Sequence, residues 1–296
     1  MFIIKNGVHF FKNKDEKLVI IDYTEGKKYQ IQFQEMLIKI MRLLRVKKTI
    51  KEVVDYTGIK ESEVIEIISS FEKIGIIEKI KNTKSISVAI IGLGTTGSHI
   101  FRQITKLDNI VKIVLVDDDR VEYDNINRQD FIEKDIGKFK VDVLEKQTEI
   151  LTVTYKQKVI EKDEISKIII NEKIKLIIHA ADYPSSHELA LIIEDAARES
   201  KIPYIINFGY ISNVVSLPEF YFPTDSITYR KTHQSNDYEL IFLQSIEKAS
   251  YRVIENLATL IAQQIIDYQR EGIPIKHGER GYFHVGNYEW RSEKLV

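Results

Sequence analysis

Residues 87–97 read SVAIIGLGTTG, and the rest of the chain is organised around them. The apolar run from Val88 to Ile91 predicts a short buried strand. Gly92, Gly94 and Gly97 follow in G-x-G-x-x-G spacing, with a helix expected from Ser98. Each glycine has a mechanical reason in that pattern. The first permits a tight turn, the second lets a phosphate approach the backbone, and the third lets the helix lie close to the strand. The free N–H groups at the helix start then form an anion site. Alone, this stretch predicts a bound nucleotide and leaves its chemistry open.

Outward from it, strands are expected at 87–91, 111–117, 154–160, 175–180 and 203–208, and helices at 98–107, 137–150, 162–171, 186–200 and 243–271. That alternation predicts an α/β, Rossmann-like fold, a mainly parallel sheet with right-handed crossovers. The tail GYFHVGNYEW reads as a late strand. Upstream, polar KNTKSI at 81–86 separates a domain at 1–84 from the nucleotide domain at 85–296.

The first domain opens with β-rich runs, VHFFK, KLVIIDY and KKYQIQF, broken by polar residues as hairpins are. Helical patterns follow at 35–44, 50–56 and 61–74, then a returning strand at 76–80. Thr49 with Glu52 caps the second helix, and Gly58 and Gly75 close the second and third. This is the order of a winged-helix module, for which DNA binding is one use. The net charge of residues 1–84 is only +5, however, and the third helix carries four glutamates and one lysine. A recognition helix should not repel phosphates. Uptake of an extended peptide by strand addition beside the hairpin suits the module better, with a purely structural appendage as the remaining alternative.

The 296 residues carry a formal net charge of -1, which gives no global reason to expect nucleic acid or an anionic membrane as partner. No apolar run approaches the roughly 18 residues of a membrane span, and the first residues lack a signal-peptide pattern, so a cytoplasmic protein is expected. There is no cysteine. Disulfides, cysteine-ligated zinc and a thiol nucleophile are therefore excluded.

The second strand, KIVLVD, ends at Asp117, twenty residues after Gly97, where an acidic residue can accept the ribose hydroxyls of a nucleotide. To this point an NAD-dependent oxidoreductase fits as well. The next turn, DDDRVEYDNINRQ, does not suit that reading. Here the sequence resembles the ThiF and MoeB adenylyltransferases, the superfamily that includes the ubiquitin-activating enzymes, whose pattern reads LVDxDxVxxxNLxRQ. The matching residues are Asp117, Asp119, Val121, Asn125, Ile126, Arg128 and Gln129; a Gly-x-x-Lys follows at Gly137 and Lys140, and an Ala-x-Asp at Ala180 and Asp182.

The resemblance implies ATP, Mg²⁺ and the adenylation of a carboxylate. That reaction brings an anion onto the α-phosphorus, so cations must gather at the phosphates. On this reading Arg128 and Lys140 serve the triphosphate, and Asp182 holds Mg²⁺, which prefers one or two carboxylates plus phosphate oxygens. Asp117 takes the ribose, Asn125 the ribose or phosphates, and Asp119 and Gln129 complete the nucleotide set with the three glycines. Read without the resemblance, Asp117 and Asp119 serve equally as turn formers, Arg128 and Lys140 as solvated charges, and Asp182 as the cap of a helix near Ser185. His179, beside apolar KLII, reads as a packed histidine and not as a base.

The closer resemblance is to the peptide-modifying branch of the superfamily, in which a winged-helix peptide clamp precedes the adenylation domain. AADYP at 180–184 and PYIINFGYISN at 203–213 carry it, and make Asn207, Tyr210 and Asn213 peptide or nucleotide contacts. It implies a precursor-peptide substrate, a homodimer, and one of two outcomes. These are condensation at a glutamate, as in pantocin A maturation, and nucleotidyl transfer to a C-terminus, as in microcin C maturation. Two departures stand out. SITYR at 226–230 replaces the first C-x-x-C pair of a structural zinc, so no zinc is expected. No R-x-x-R-Q run precedes the glycine loop, so Arg102, Arg230 or a residue of a partner subunit must supply that cation.

Overall fold

The structure is a computed structural model describing residues 1–80, 83–211, 213–233, 251–274 and 277–294. The chain divides into two compact units, Met1–Thr83 and Lys84–Val296.

In the first unit, β1 (Phe2–Ile4) is followed by β2 (Val8–Lys12), β3 (Lys17–Asp22) and β4 (Lys27–Gln32), which form an antiparallel meander in that order. Then come α1 (Glu35–Leu43), α2 (Ile50–Thr57), α3 (Glu61–Lys73) and β5 (Ile77–Lys79). Leu18 and Ile20 of β3 are buried against Leu37 and Ile40 of α1, Val53 of α2 and Ile68 of α3, a shared core. The Thr49–Glu52 capping box forms at the start of α2, and Gly58 closes that helix in the left-handed conformation at φ +67°. The returning strand pairs antiparallel with β1, not with the hairpin. The N-terminal FII, which the β-rich pattern does not single out, supplies the apolar partner. In the meander β2 and β4 are edge strands, so the outer ladder of β2 carries no partner among the described residues.

The second unit runs β6 (Ile86–Ile91), α4 (Thr95–Ile104), β7 (Ile110–Val116), α5 (Lys140–Glu145), β8 (Thr152–Tyr155), α6 (Lys162–Glu172), β9 (Leu176–His179), α7 (Ser186–Glu199) and β10 (Tyr204–Ile206). It continues with β11 (Tyr210–Ile211), β12 (Val214–Ser216), β13 (Glu219–Tyr221), α8 (Tyr229–Thr232), α9 (Tyr251–Glu271), β14 (Glu279–His284) and β15 (Glu289–Lys294). Six strands form one sheet in the order β13-β10-β9-β6-β7-β8, parallel except for β13, which runs against β10.

Central β6 is buried at every position, as a parallel strand covered on both faces must be. Val88 and Ile90 join Phe101 of α4 and Leu257 of α9 in one layer. Ala89 and Ile91 join Ile168 of α6 and Ile193 of α7 in the other. Because β7 lies on one side of β6 and β9 on the other, the loops leaving β6 and β9 diverge, and a crevice opens at the carboxyl ends of the strands.

Several sequence-based boundaries shift. The helix expected from Ser98 begins at Thr95, because Gly94 takes the N-cap position with no side chain. The helix expected over 137–150 is only Lys140–Glu145, and the strand over 154–160 is Thr152–Tyr155. Of the helix over 243–271, residues 243–250 lie outside the described residues and the rest forms α9. The tail is not one strand but the hairpin β14–β15, reversed through Gly286, Asn287 and Tyr288. With β11 and β12 it makes a second sheet of order β11-β12-β14-β15. Among the described residues no helix is long and apolar enough to cross a membrane.

Candidate active site

The glycine turn is a packed piece of backbone. Gly92 sits at φ +94°, and a Cβ there would come within 2.7 Å of Ala181 N and 2.8 Å of Ala180 C. A Cβ on Gly97 would collide with the Gly92 carbonyl oxygen, so the first turn of α4 can cross the loop only as glycine. A Cβ on Gly94 would meet nothing within 4 Å, because that residue faces an open cavity of about 540 Å³ at the strand ends. The N-cap supplies no side-chain acceptor, so no cap side chain takes up the first N–H groups of α4, as an anion site requires.

Asp117, one residue past β7, staples this turn. Its Oδ2 accepts the Leu93 N–H at 2.6 Å and its Oδ1 accepts the Asp119 N–H at 2.8 Å. Burial pushes its carboxyl up, while Lys140 and these two N–H groups hold it down; burial is the larger effect. Asp117 lines the cavity together with Asp118 and Asp119.

Arg128 also lines the cavity. Its Nε donates to the Asp124 carbonyl at 3.3 Å, and its carbonyl receives Nε2 of buried His99 at 3.0 Å, while His99 Nδ1 meets Glu255 Oε1 of α9 at 2.7 Å. His99 therefore ties the turn bearing Arg128 to α4 and α9. Nothing in the sequence marks it beyond its place two residues after Gly97.

Asp182 stands exposed on the cavity wall with no hydrogen bond or ion pair among the described residues. It does not cap the following helix. Ser185 does, its hydroxyl accepting the Glu188 N–H at 3.1 Å.

The remaining sequence-derived residues sit further back. Lys140 is buried, with Nζ 2.7 Å from Asp119 Oδ2, so the two are paired with each other beside the cavity. Asn125 is buried outside the lining, where its Oδ1 accepts the Glu122 N–H at 2.8 Å and shapes the turn before Arg128. Gln129 is buried too, with Oε1 unpartnered among the described residues.

Asn207 lines the cavity as a latch. Its Nδ2 donates to the His179 carbonyl at 3.1 Å, and its own carbonyl receives His179 Nδ1 at 3.0 Å, joining the ends of β9 and β10. Burial pushes His179 down to about 4, and the ring serves packing, as expected. Tyr210 lines the cavity; Asn213 is exposed away from it.

Neither proposed substitute for the missing arginine reaches the cavity. Arg102 is held by Tyr251, Glu255 and Asp130, and Arg230 by both oxygens of Asp195 at 2.8 Å. The cation that sequence reasoning misses is Lys158. It lines the cavity, with Nζ 3.9 Å from Asp118 and 4.6 Å over the Tyr183 ring. Its signal is positional, since it lies just past a parallel strand, on the edge where α/β sheets bind ligands. In place of a zinc site, the segment at 226–230 is held by the Thr228 cap of α8 and by buried Tyr229 stacked on His233.

The family model for ThiF matches residues 67–269. The chain belongs to the ThiF family. No curated protein sequence is significantly similar to it. This ThiF-family chain superimposes on E. coli MccB solved with ATP, with a TM-score of 0.68 at 17% identity over 99% of this chain and 96% of that one. The microcin C7 biosynthetic enzyme MccB in complex with N-formylated MccA gives 0.69 at 18%, with the same coverage. PaaA gives 0.69 at 18% over 98% of this chain and 99% of that one. The fold is thus shared with these proteins along nearly the whole length.

Proposed function

We propose that this protein is an ATP-dependent enzyme that activates a carboxylate of a ribosomally made precursor peptide as an acyl adenylate, in peptide antibiotic biosynthesis. The observation that carries the reading is the cavity itself. The glycine turn with its uncapped helix start, and Arg128, whose guanidinium is engaged only through Nε among the described residues, line the same space as Asp182, which has no partner among the described residues. Attack joins a carboxylate oxygen to the α-phosphorus while the bond to the β-phosphate oxygen breaks and pyrophosphate departs. Arg128 and the turn stabilise the charge that develops, with Lys140 available once Asp119 releases it.

The cavity lining holds the carboxylates of Asp117, Asp118, Asp119 and Asp182 against the cations of Arg128 and Lys158. Such a lining repels a bare triphosphate. The donor set of carboxylate oxygens suits Mg²⁺, with Asp182 as the first ligand, and the ion would neutralise the phosphates and orient them.

Peptide capture belongs to the first unit. A groove of about 690 Å³ runs beside the free edge of β2, lined by Phe10 and by Ile38, Met41, Arg42 and Arg45 of α1 and the turn after it. An extended peptide adding a strand there would meet apolar side chains and two arginines, which favours an acidic, amphipathic leader. The chemistry completed without a cysteine is direct attack on the acyl group by a nucleophile of the substrate, with AMP leaving. Glutamate condensation within the peptide is the outcome we favour, in a cytoplasmic homodimer.

The test is peptide-dependent ATP–pyrophosphate exchange, followed by mass spectrometry of the peptide encoded beside the gene. Loss of water supports condensation, and gain of a nucleotide monophosphate supports transfer to the C-terminus. No exchange and no mass change with any candidate peptide, or binding of NAD in preference to ATP, would sink the reading.

A further inference from the structure

A second cavity of about 890 Å³ lies in the same unit and shares Phe208, Gly209 and Tyr210 with the first. Its floor is one face of the small sheet. Ser216 lies opposite Tyr282, Tyr282 opposite Arg291, and Arg280 opposite Glu293, so these side chains share a face, whereas Val215, Phe283 and Trp290 share the other. That other face is committed, since Val215 is buried in the core and Phe283 packs against it. The volume falls within the range of about 300–1,000 Å³ usual for ligand sites.

One charged group here is built in unusually firmly. Glu219 of β13 is 2% exposed, with Oε1 accepting Arg280 Nε at 2.9 Å and Oε2 accepting the Tyr221 hydroxyl. Arg280 Nη2 donates to the Thr232 carbonyl at 2.9 Å and lies 3.0 Å from His233 Nε2. Burial and the arginine push His233 down to about 4, so it meets Arg280 uncharged. These contacts use Nε and Nη2 and leave Nη1 without a partner among the described residues. The guanidinium is thus oriented at the cavity wall with donors to spare. A planar, fixed guanidinium of this kind recognises a carboxylate.

We propose that this second cavity seats the peptide segment flanking the carboxylate to be activated, and that Arg280 recognises a second carboxylate of that segment. The inference rests on the functional reading above. The continuity of the cavities supports it: a chain seated on the sheet crosses Phe208–Tyr210 to reach the nucleotide. Gly209, at φ +74° with open space where a Cβ would be, leaves that crossing clear. The reacting carboxylate must reach the α-phosphate, so the group held by Arg280 is a different one, an acidic side chain or a C-terminus.

The test uses the full chain and three synthetic probes. These are acetyl-Ala-Glu-Ala-Glu-Ala amide, the same peptide with one Gln for Glu, and that Gln peptide with a free C-terminus. Binding is measured by calorimetry without nucleotide. The two-glutamate probe should bind about tenfold or more tightly than the Gln amide, and the free C-terminus shows which source of carboxylate is used. Because Arg42 and Arg45 can also attract acidic probes, a variant separates the two sites. The advantage must vanish in Arg280→Gln/Glu219→Gln, which removes both charges and leaves no unpaired one buried, while the thermal shift given by ATP is unchanged. Equal affinities in the parent protein, or an advantage that survives in the variant, would overturn the proposal. Absence of peptide-dependent exchange would instead overturn the functional reading, since binding here is read without ATP.

Discussion

The two sides of the cavity at the strand ends are made of different material. On one side the glycine turn is backbone packed on backbone, stapled by Asp117, with no room for a methyl group at Gly92 or Gly97. On the other, Arg128, Lys158 and Asp182 are side chains on loops, with few partners or none. The difference teaches a division of labour. On the proposed function, the packed side would set where a phosphate lies, and the sparsely partnered side would keep its charges available to the reaction. Substitutions at the two glycines without room for a methyl should damage fold and binding together, and those on the second side should leave the fold intact.

The largest expected effect tests the packed side. Gly97→Ala should destabilise the protein by about 3 kcal/mol or more in urea unfolding and abolish the thermal shift given by ATP. Gly94→Ala, whose methyl enters open space, should leave the unfolding curve in place and lose the nucleotide only. If both behaved alike, the comparison would break. Next in size, Arg128→Ala should lower peptide-dependent exchange about a hundredfold with an unchanged melting temperature. A fall in melting temperature would place Arg128 among the structural residues.

The latch between β9 and β10 gives a pH test of the packed side. Burial disfavours the charge of folded His179 and pushes it down to about 4 from its ordinary 6.5. Above 6.5 both states are neutral and the stability is fully present. As pH falls from 6.5 to 4 the unfolded chain takes up a proton that the folded one refuses, and stability drops by up to about 1.4 kcal/mol per pH unit for one proton. His233 adds in the same direction. The urea midpoint should therefore fall across that window, and His179→Gln with His233→Gln should flatten it. The smallest effect belongs to Lys158→Ala, a loss of less than about 1 kcal/mol in nucleotide affinity, since its ion pair is long and its side chain half exposed. A hundredfold loss there would make Lys158 the replacement for the missing arginine and not an accessory.

What can be read in the sequence follows from how local each signal is. Strand runs such as VAII and LIIH, and the glycine spacing, are contiguous, so the parallel sheet and its turn are legible. Partners far apart in sequence are not. That β13 runs against β10, that FII completes a ribbon with β5, and that His99 steadies Arg128 all depend on contacts no periodicity encodes. The tail misleads for a different reason. Its turn has no Asn-Gly pair, only Gly286 and Asn287 followed by Tyr288 at φ +59°, so a hairpin looks like one strand. Lys140 and Asn125 are legible as members of a motif, while their burial beside the cavity and not in its lining is not.

The outer edge of β2, without a partner among the described residues, has a consequence for handling the protein. An edge that can take up one strand offers its N–H and C=O groups to any strand, a second copy of itself included, and that is how soluble sheets begin to aggregate. Lys12 at the end of β2, and Lys27 and Lys28 at the start of β4, supply the charge that keeps such edges apart. The lysines of the meander therefore protect solubility while the groove is empty, and neutralising them would make the unliganded protein prone to pair with itself.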